Sequence, residues 1–390
     1  MGKSIKIDNH NAITAPDFAS MLRMQLRALW EGTCPADKLP PLMVWGAPGL
    51  GKSSIIRELA REYGVGFLDI RLAQREPVDI RGLPVPDQDG VKWLVSAEWP
   101  RDPASRGIIL FDELTAADRS LQVAAYELIL DRRLGDLYRV PDGWYICAAG
   151  NRVEDRAVST TMSSALANRF MHVELQSDME SWVKWAIAHD VHPSVIGFIR
   201  YRPELLFAQK DENLERGWPS PRSWERVSSM LKIIGTGNLR QLSSAVFGLV
   251  GNRAGVEFIA FVEVNDSLED TLAMMLNPKV KVQIPAKADR VYALCSAMVY
   301  HLWRGKDDKQ TSALLDGFYR IALVLPSSYA AMSMIDAMGD SEERAGKLYM
   351  HPQYKVWAER HGMAFKKRMN NERPDDDSAA DSDAEASVAQ

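Results

Sequence analysis

Gly46-Ala47-Pro48-Gly49-Leu50-Gly51-Lys52-Ser53-Ser54 follows directly on the apolar run Leu42-Met43-Val44-Trp45. Gly46 and Gly51 bracket four residues, and a lysine and a serine come next. A loop that cradles phosphate needs these residue types: glycines let the backbone approach an anion closely, a lysine reaches the outer phosphates, and a hydroxyl serves Mg2+. The run from Ser54 to Tyr63 then reads as a helix whose amino terminus faces the loop. At average residue frequencies the eight-residue pattern arises by chance in roughly one or two chains per hundred of this length. The alternative reading is a plain strand-to-helix turn.

Working outward, five β-like runs stand at 41–45, 65–72, 107–113, 144–149 and 170–175. They are apolar with little alternation, as suits parallel strands buried on both faces. The expected fold class is therefore α/β, a P-loop doubly wound parallel sheet. A helical period covers 15–30 ahead of the loop. Two stretches interrupt the alternation and read as hairpins, 84–95 with an Asp-Gly turn and 132–140. Beyond residue 177 the spacing turns helical, at 181–189, 223–234, 288–303 and 311–325. The expected organisation is a nucleotide-binding domain over 1–176, a helical lid and helical extension over 177–368, and a tail over 369–390.

Hydrolysis of a nucleoside triphosphate needs a carboxylate for the metal shell and a further group to orient the attacking water, both at the carboxyl end of a neighbouring strand. The third run ends in Asp112-Glu113, about 60 residues after Lys52. Alone, two adjacent acids there could cap the following turn. Paired with the loop, they read as metal carboxylate and general base. The fourth run leads into Asn151, which could hold the lytic water, sense a γ-phosphate, or simply favour a turn. Arg169 stands just before the fifth run, either as a surface residue or opposite a neighbouring subunit's phosphate. Ser220-Pro221-Arg222 reads as a helix start with Ser220 as N-cap. A cation in that first turn opposes the helix dipole by roughly 0.3–1 kcal/mol. Arg222 is therefore either delivered an anion or paired with Glu225.

The bulk numbers bound the rest. The chain has 390 residues, 46% hydrophobic and 25% charged, an ordinary globular composition. Cys34, Cys147 and Cys295 give neither a disulfide framework nor metal-ligand spacing, which suits a reducing compartment. The amino terminus has no apolar signal core and no window approaches eighteen uncharged apolar residues, so a cytoplasmic protein with no membrane partner is expected. Residues 372–390 carry seven acids and one arginine of a formal net charge of −5 for the whole chain. The remainder is therefore almost neutral and offers no electrostatic footprint for nucleic acid, while the acidic end reads as disordered. His189-Asp190-Val191-His192 lacks a third zinc ligand nearby and reads as a helix end, and Trp182 and Trp185 read as core.

Together these stretches resemble the AAA+ ATPases, and within them the MoxR family. The resemblance rests on the loop 46–54 (Walker A), Ile108 to Leu114 (Walker B), Ala148 to Asn151 (sensor 1), Ser164 to Phe170 (arginine-finger segment) and Pro219 to Trp224 (sensor 2). The hairpins look like the two insertions that mark this clade. The resemblance implies a homo-oligomeric ring, usually a hexamer, with ATP and Mg2+ held between subunits. It assigns the β/γ-phosphates to Lys52, the Mg2+ to Ser53 and Asp112, the water to Glu113, and the γ-phosphate to Asn151 and Arg222. Gly46, Ala47, Pro48, Gly49, Leu50, Gly51 and Ser54 complete the ATP-binding loop. Arg169 would reach the ATP of the adjacent protomer, a role that Arg152 or Arg156 could share or take. MoxR-type proteins are chaperone-like remodellers, commonly working with a protein that bears a von Willebrand factor A domain. The alternatives on the same core are a nucleic-acid motor or loader, for which Lys366-Lys367-Arg368 is the one compact basic run, and a nucleotide-binding scaffold with little turnover.

Overall fold

In the computed structural model, residues 12–88, 90–152, 162, 164–208, 217–264 and 268–371 are described. All five apolar runs form strands, and a sixth, shorter strand precedes them. Numbered in chain order, the central sheet consists of β1 (Ala12–Ile13), β2 (Leu42–Trp45), β3 (Gly66–Arg71), β4 (Gly107–Asp112), β5 (Trp144–Gly150) and β6 (Met171–Leu175). Their spatial order is β1-β6-β2-β5-β4-β3, and every neighbouring pair is parallel.

Alternation along the strands explains why the runs lack a polar face. Leu42, Val44, Ile108, Leu110, Tyr145, Cys147 and Ala149 pack on one side with Phe18, Leu22 and Leu26 of helix Ala15–Trp30 and with Ile56, Leu59 and Ala60 of helix Lys52–Glu62. Met43, Ile109, Phe111, Ile146 and Ala148 face the other side, against Leu121, Ala124, Ala125 and Leu128 of helix Arg119–Asp131. A sheet covered on both faces buries every residue of its central strands. Each fully buried Leu or Ile contributes about 1.5–3 kcal/mol by leaving water. The fold is the doubly wound P-loop α/β class, followed by a helical region.

The chain divides into two compact units between Ser181 and Trp182. Both hairpins of the first unit form, Leu83–Asp87 with Gly90–Leu94 and Arg133–Leu134 with Tyr138–Arg139. Asp89, half of the expected Asp-Gly turn, lies outside the described residues.

The second unit is helical. Phe198, Trp224, Phe258 and Phe261 interlock with ring centroids 5.2–5.6 Å apart, joining helices Pro193–Tyr201, Pro221–Ile234 and Leu239–Val264. A second core gathers Met298, Phe318, Tyr319, Met334 and Trp357. Arg200 and Asp336 form a buried ion pair at 2.6 Å between helices Pro193–Tyr201 and Ser327–Met338. Trp182 is buried as expected; Trp185 departs from the core reading, being half-buried with its ring stacked on His189 at 4.5 Å. A tryptophan one helical step off the apolar stripe covers the surface instead. Helix Leu239–Val264 is long and apolar enough by composition to cross a membrane. It breaks at Gly251 (φ 77°) into two arms shorter than the ~20 residues a span needs, and half of the apolar window is buried. The last helix runs through Asn371, and the acidic residues 372–390 lie outside the described residues.

Candidate functional site

The loop after β2 turns on glycines with positive φ, which residues with a side chain rarely adopt. Gly46, Gly49 and Gly51 have φ of 150°, 90° and 93°. A Cβ on Gly46 would lie 2.9 Å from the Leu175 carbonyl oxygen. Gly51 caps helix Lys52–Glu62 without a side-chain bond, and the first turn of that helix holds no acid. Its amino-terminal amides and positive dipole end therefore suit an anion.

The buried Lys52 ammonium donates to the carbonyls of Gly46 (2.5 Å) and Ala47 (3.1 Å) and to Asn151 Oδ1 (3.0 Å). Ser53 Oγ donates to Asp112 Oδ2 at 2.5 Å. The other oxygen of Asp112 accepts the Glu113 N–H at 2.9 Å, so the carboxylate is oriented from both sides. Glu113 itself has φ 57°. Left-handed backbone costs a residue with a side chain roughly 1–2 kcal/mol, a strain that persists only where the surroundings impose it. Here Leu114 N–H is held by the Ala149 carbonyl at 3.0 Å and the Glu113 carbonyl accepts from Ala116 at 2.9 Å. These bonds fix the turn that presents Glu113.

Parallel register places these groups together. Trp45 pairs with Gly150 and Phe111 with Ala148, so the loop, Asp112, Glu113 and Asn151 all stand at the carboxyl edge of the sheet. Thr115, which the sequence patterning does not single out, positions Asn151. Its Oγ1 accepts the Asn151 N–H and donates to the Asn151 carbonyl, both at 3.2 Å. The signal that could have found it is a hydroxyl two residues beyond the acidic pair, inside an otherwise apolar run.

The arginines are distributed differently. Arg152, next to Asn151, forms an ion pair with Glu174 near the carboxyl end of β6, on the same edge as Lys52. Arg169 precedes β6, whose first residue Met171 pairs with Leu42, the first residue of β2. It therefore stands at the amino edge, about 16 Å of strand away from the loop. Exposed there, it lines a cavity of about 520 Å³ with Pro41, Tyr145, Arg132 and Arg133. Arg132 is buried with φ 55°; it donates to the carbonyls of Pro141 (2.9 Å) and Trp144 (2.8 Å) while its Nε finds no partner among the described residues. Arg222 belongs to the second unit, exposed in the first turn of helix Pro221–Ile234, where Ser220 caps the helix by accepting the Ser223 N–H at 3.2 Å. No ion pair links Arg222 to Glu225 among the described residues. Arg156 lies outside the described residues.

No family model matches the chain. Over 182 residues it is 24% identical to Midasin of Giardia intestinalis, a stretch that covers 44% of this chain and 4% of that protein. The chain thus spans a small fraction of the curated relative it matches. Among solved structures it is similar to NtrX from Brucella abortus (14% identity, TM-score 0.35, 93% of this chain and 69% of that one). It is also similar to the RuvB Holliday junction branch migration motor of Thermotoga maritima (16% identity, TM-score 0.34, 73% of this chain and 86% of that one). Identities and TM-scores this low transfer no function.

The donor set suits magnesium triphosphate. A hydroxyl and a carboxylate oxygen are the hard ligands that Mg2+ takes alongside waters and phosphate. The side-chain-free glycine turns and the uncapped helix start supply the anion cradle. Cysteine chemistry has no comparable support, since burial pushes the Cys147 thiol well up and that of Cys295 up to about 12. No group of three His, Cys, Asp or Glu side chains could hold a metal among the described residues.

Proposed function

We propose that this chain is an ATPase of AAA+ type, similar to MoxR proteins, that assembles into a homo-oligomeric ring and uses ATP turnover to remodel a protein client. The observation that carries the reading is the pair of bonds Ser53–Asp112 and Lys52–Asn151, which draws three separate sequence motifs onto one sheet edge.

In this reading the amides and glycines of residues 46–54 wrap the phosphates, and Lys52 neutralises the β- and γ-oxygens. Ser53 and Asp112 would hold Mg2+, which when bound supplies charge neutralisation at the phosphoryl group. Glu113, presented on its strained turn, accepts the proton of the attacking water, and Asn151, buttressed by Thr115, holds that water or the γ-phosphate. Arg169 is too far along the sheet to serve its own nucleotide. A ring, taken here as a hexamer, would bring it to the nucleotide of the next protomer. By the same resemblance, Arg222 would serve as the γ-phosphate contact. The functional division is a nucleotide domain over 1–176, a lid and helical extension from 177 that runs on past the expected 368 to the end of the last helix at Asn371, and a solvating tail over the remainder of 369–390. Three unpaired thiols fit a cytoplasmic setting. The client, and a separate partner with a von Willebrand factor A domain, complete the proposal.

The test is Glu113→Gln against the unaltered chain, with Mg2+-dependent ATP binding and phosphate release measured separately. Binding is expected to persist while turnover falls by roughly 10²–10⁴-fold. Absence of Mg2+-dependent ATP affinity in the unaltered protein, or full turnover in the variant, would overturn the reading.

A further inference from the structure

The hairpin Leu83–Asp87/Gly90–Leu94 exposes apolar side chains that nothing among the described residues covers. Leu83, Val91, Trp93 and Leu94 are 54%, 64%, 42% and 49% exposed. The register pairs Pro84 with Trp93 and Pro86 with Val91. Directly opposed residues of an antiparallel pair share a face, as do alternate residues of a strand. Pro84, Pro86, Val91 and Trp93 therefore form one exposed apolar face.

The same two prolines determine which edge of the ribbon is open. Proline has no N–H, so neither Pro84–Trp93 nor Pro86–Val91 can be a pair that exchanges two hydrogen bonds. Both are non-hydrogen-bonded positions, where N and C=O point away from the partner strand. The outer edge of Leu83–Asp87 consequently offers no donor at 84 or 86 and is closed to further pairing. On the other strand the outward positions are Val91 and Trp93, whose N–H groups have no hydrogen-bond partner among the described residues.

We infer that the Gly90–Leu94 edge receives an extended segment of the client protein, which joins the ribbon as a third strand and lays alternate apolar side chains over Trp93 and Val91. The inference rests on the client-remodelling reading and deepens it by naming how the client is held. A row of outward N–H and C=O groups is satisfied by another extended backbone, which a helix or a nucleic acid cannot supply. An isolated two-stranded hairpin is marginal in water, and a third strand adds the pairing it lacks. Charge decides against a second copy of this chain. Two such edges pairing antiparallel through Val91 and Trp93 would set Lys92 directly opposite Lys92, and like charges so placed are destabilising. The segment that fits carries an acidic residue opposite Lys92 and apolar residues on either side of it. The blocked proline edge limits each hairpin to one such strand.

The experiment measures binding of a fluorescein-labelled heptapeptide of alternating valine and glutamate to the full chain by fluorescence anisotropy. Wild type is expected to bind it, and Val91→Pro, which places proline where this ribbon already accepts it twice, to bind roughly tenfold or more weakly. Val91→Thr, which keeps the N–H, should remain close to wild type, and ATP turnover without peptide should be the same in all three. The same peptide N-methylated at every second amide tests the edge on the unaltered protein and is expected not to bind. Equal affinity for Val91→Pro, equal affinity for the methylated peptide, or no binding by wild type would overturn the inference. So would self-association that Val91→Pro abolishes in the absence of peptide binding, because the second copy would then be the occupant. Lys52→Ala separates this result from the ATPase reading: it should lose ATP affinity and keep the peptide.

Discussion

Lys52 Nζ donates to Asn151 Oδ1 at 3.0 Å across 99 residues of sequence. The bond ties the first helix after the loop to the strand that lies beside β2 in the sheet, so the side chain assigned to the phosphates and the one assigned to the water share a contact. Replacing the neutral amide by a carboxylate, Asn151→Asp, would turn that contact into an ion pair competing with phosphate for the ammonium. ATP affinity is expected to fall roughly tenfold, the equivalent of about 1.4 kcal/mol, with Asn151→Ala reducing turnover more than affinity. Fluorescent ATP-analogue titration beside phosphate release distinguishes the two; unchanged affinity in Asn151→Asp would detach Lys52 from nucleotide binding.

Gly46→Ala should be disproportionately harmful for a single methyl group. The backbone there has φ 150°, and the new Cβ would meet the Leu175 carbonyl at 2.9 Å. A cost of roughly 1–3 kcal/mol and loss of ATP binding are expected. Gly237→Ala, where a Cβ meets nothing within 4 Å, serves as the neutral control in thermal melts. Equal melting temperatures for the two variants would show that the loop yields without strain.

Arg169 and Lys52 stand at opposite edges of the same sheet, which makes mixing the informative experiment. Arg169→Ala alone and Lys52→Ala alone should both lack turnover, the first with nucleotide affinity intact. Mixed together, the two variants should regain a fraction of wild-type turnover, because a Lys52→Ala protomer can supply Arg169 to a neighbour that binds ATP. Recovery absent at every mixing ratio, with assembly verified by light scattering, would remove Arg169 from the shared site.

His192 gives the second unit a defined acid sensitivity. Burial lowers its pKa to about 4, with the Lys232 cation adding to the shift and the Asp190 carboxylate opposing it. The ring accepts the Ser194 N–H at 3.2 Å as the cap of helix Pro193–Tyr201. With a folded-state pKa below the ordinary value near 6.5, the unfolded chain binds the proton first as pH falls. Stability is therefore full above pH 6.5 and declines from there towards about 4, by about 2 kcal/mol between pH 7 and 5. His192→Asn keeps a capping acceptor and removes the titration. Urea denaturation at pH 7 and 5 should show a smaller loss for the variant; an identical loss would assign the acid sensitivity to other groups.

Much of the architecture was legible because it rests on local rules. Apolar runs at strand length, a helical period after Lys52, proline and serine at the start of helix Pro221–Ile234 and two turn-bounded hairpins each depend on a few adjacent residues. Strand Ala12–Ile13 was not legible: two residues have no period, and they are extended because β6 lies alongside. Thr115 escaped notice for a similar reason, since a lone hydroxyl acquires a role only when the end of β5 comes to rest against it. Trp185 was misread because spacing along a helix gives a stripe without the width of the neighbour that covers it.

The sequence by itself determined the class of the fold and the kinds of group available for chemistry: a glycine turn, a lysine, a hydroxyl, two acids and an amide, each at the end of an element that its own neighbours specify. Only the tertiary structure decided which of them meet. The order β6-β2-β5-β4 puts Ser53 against Asp112 and Lys52 against Asn151, and leaves Arg169 on the far edge. Strand order is a property of how two apolar faces are covered at once, by helices distant in sequence, and no short window of residues contains it.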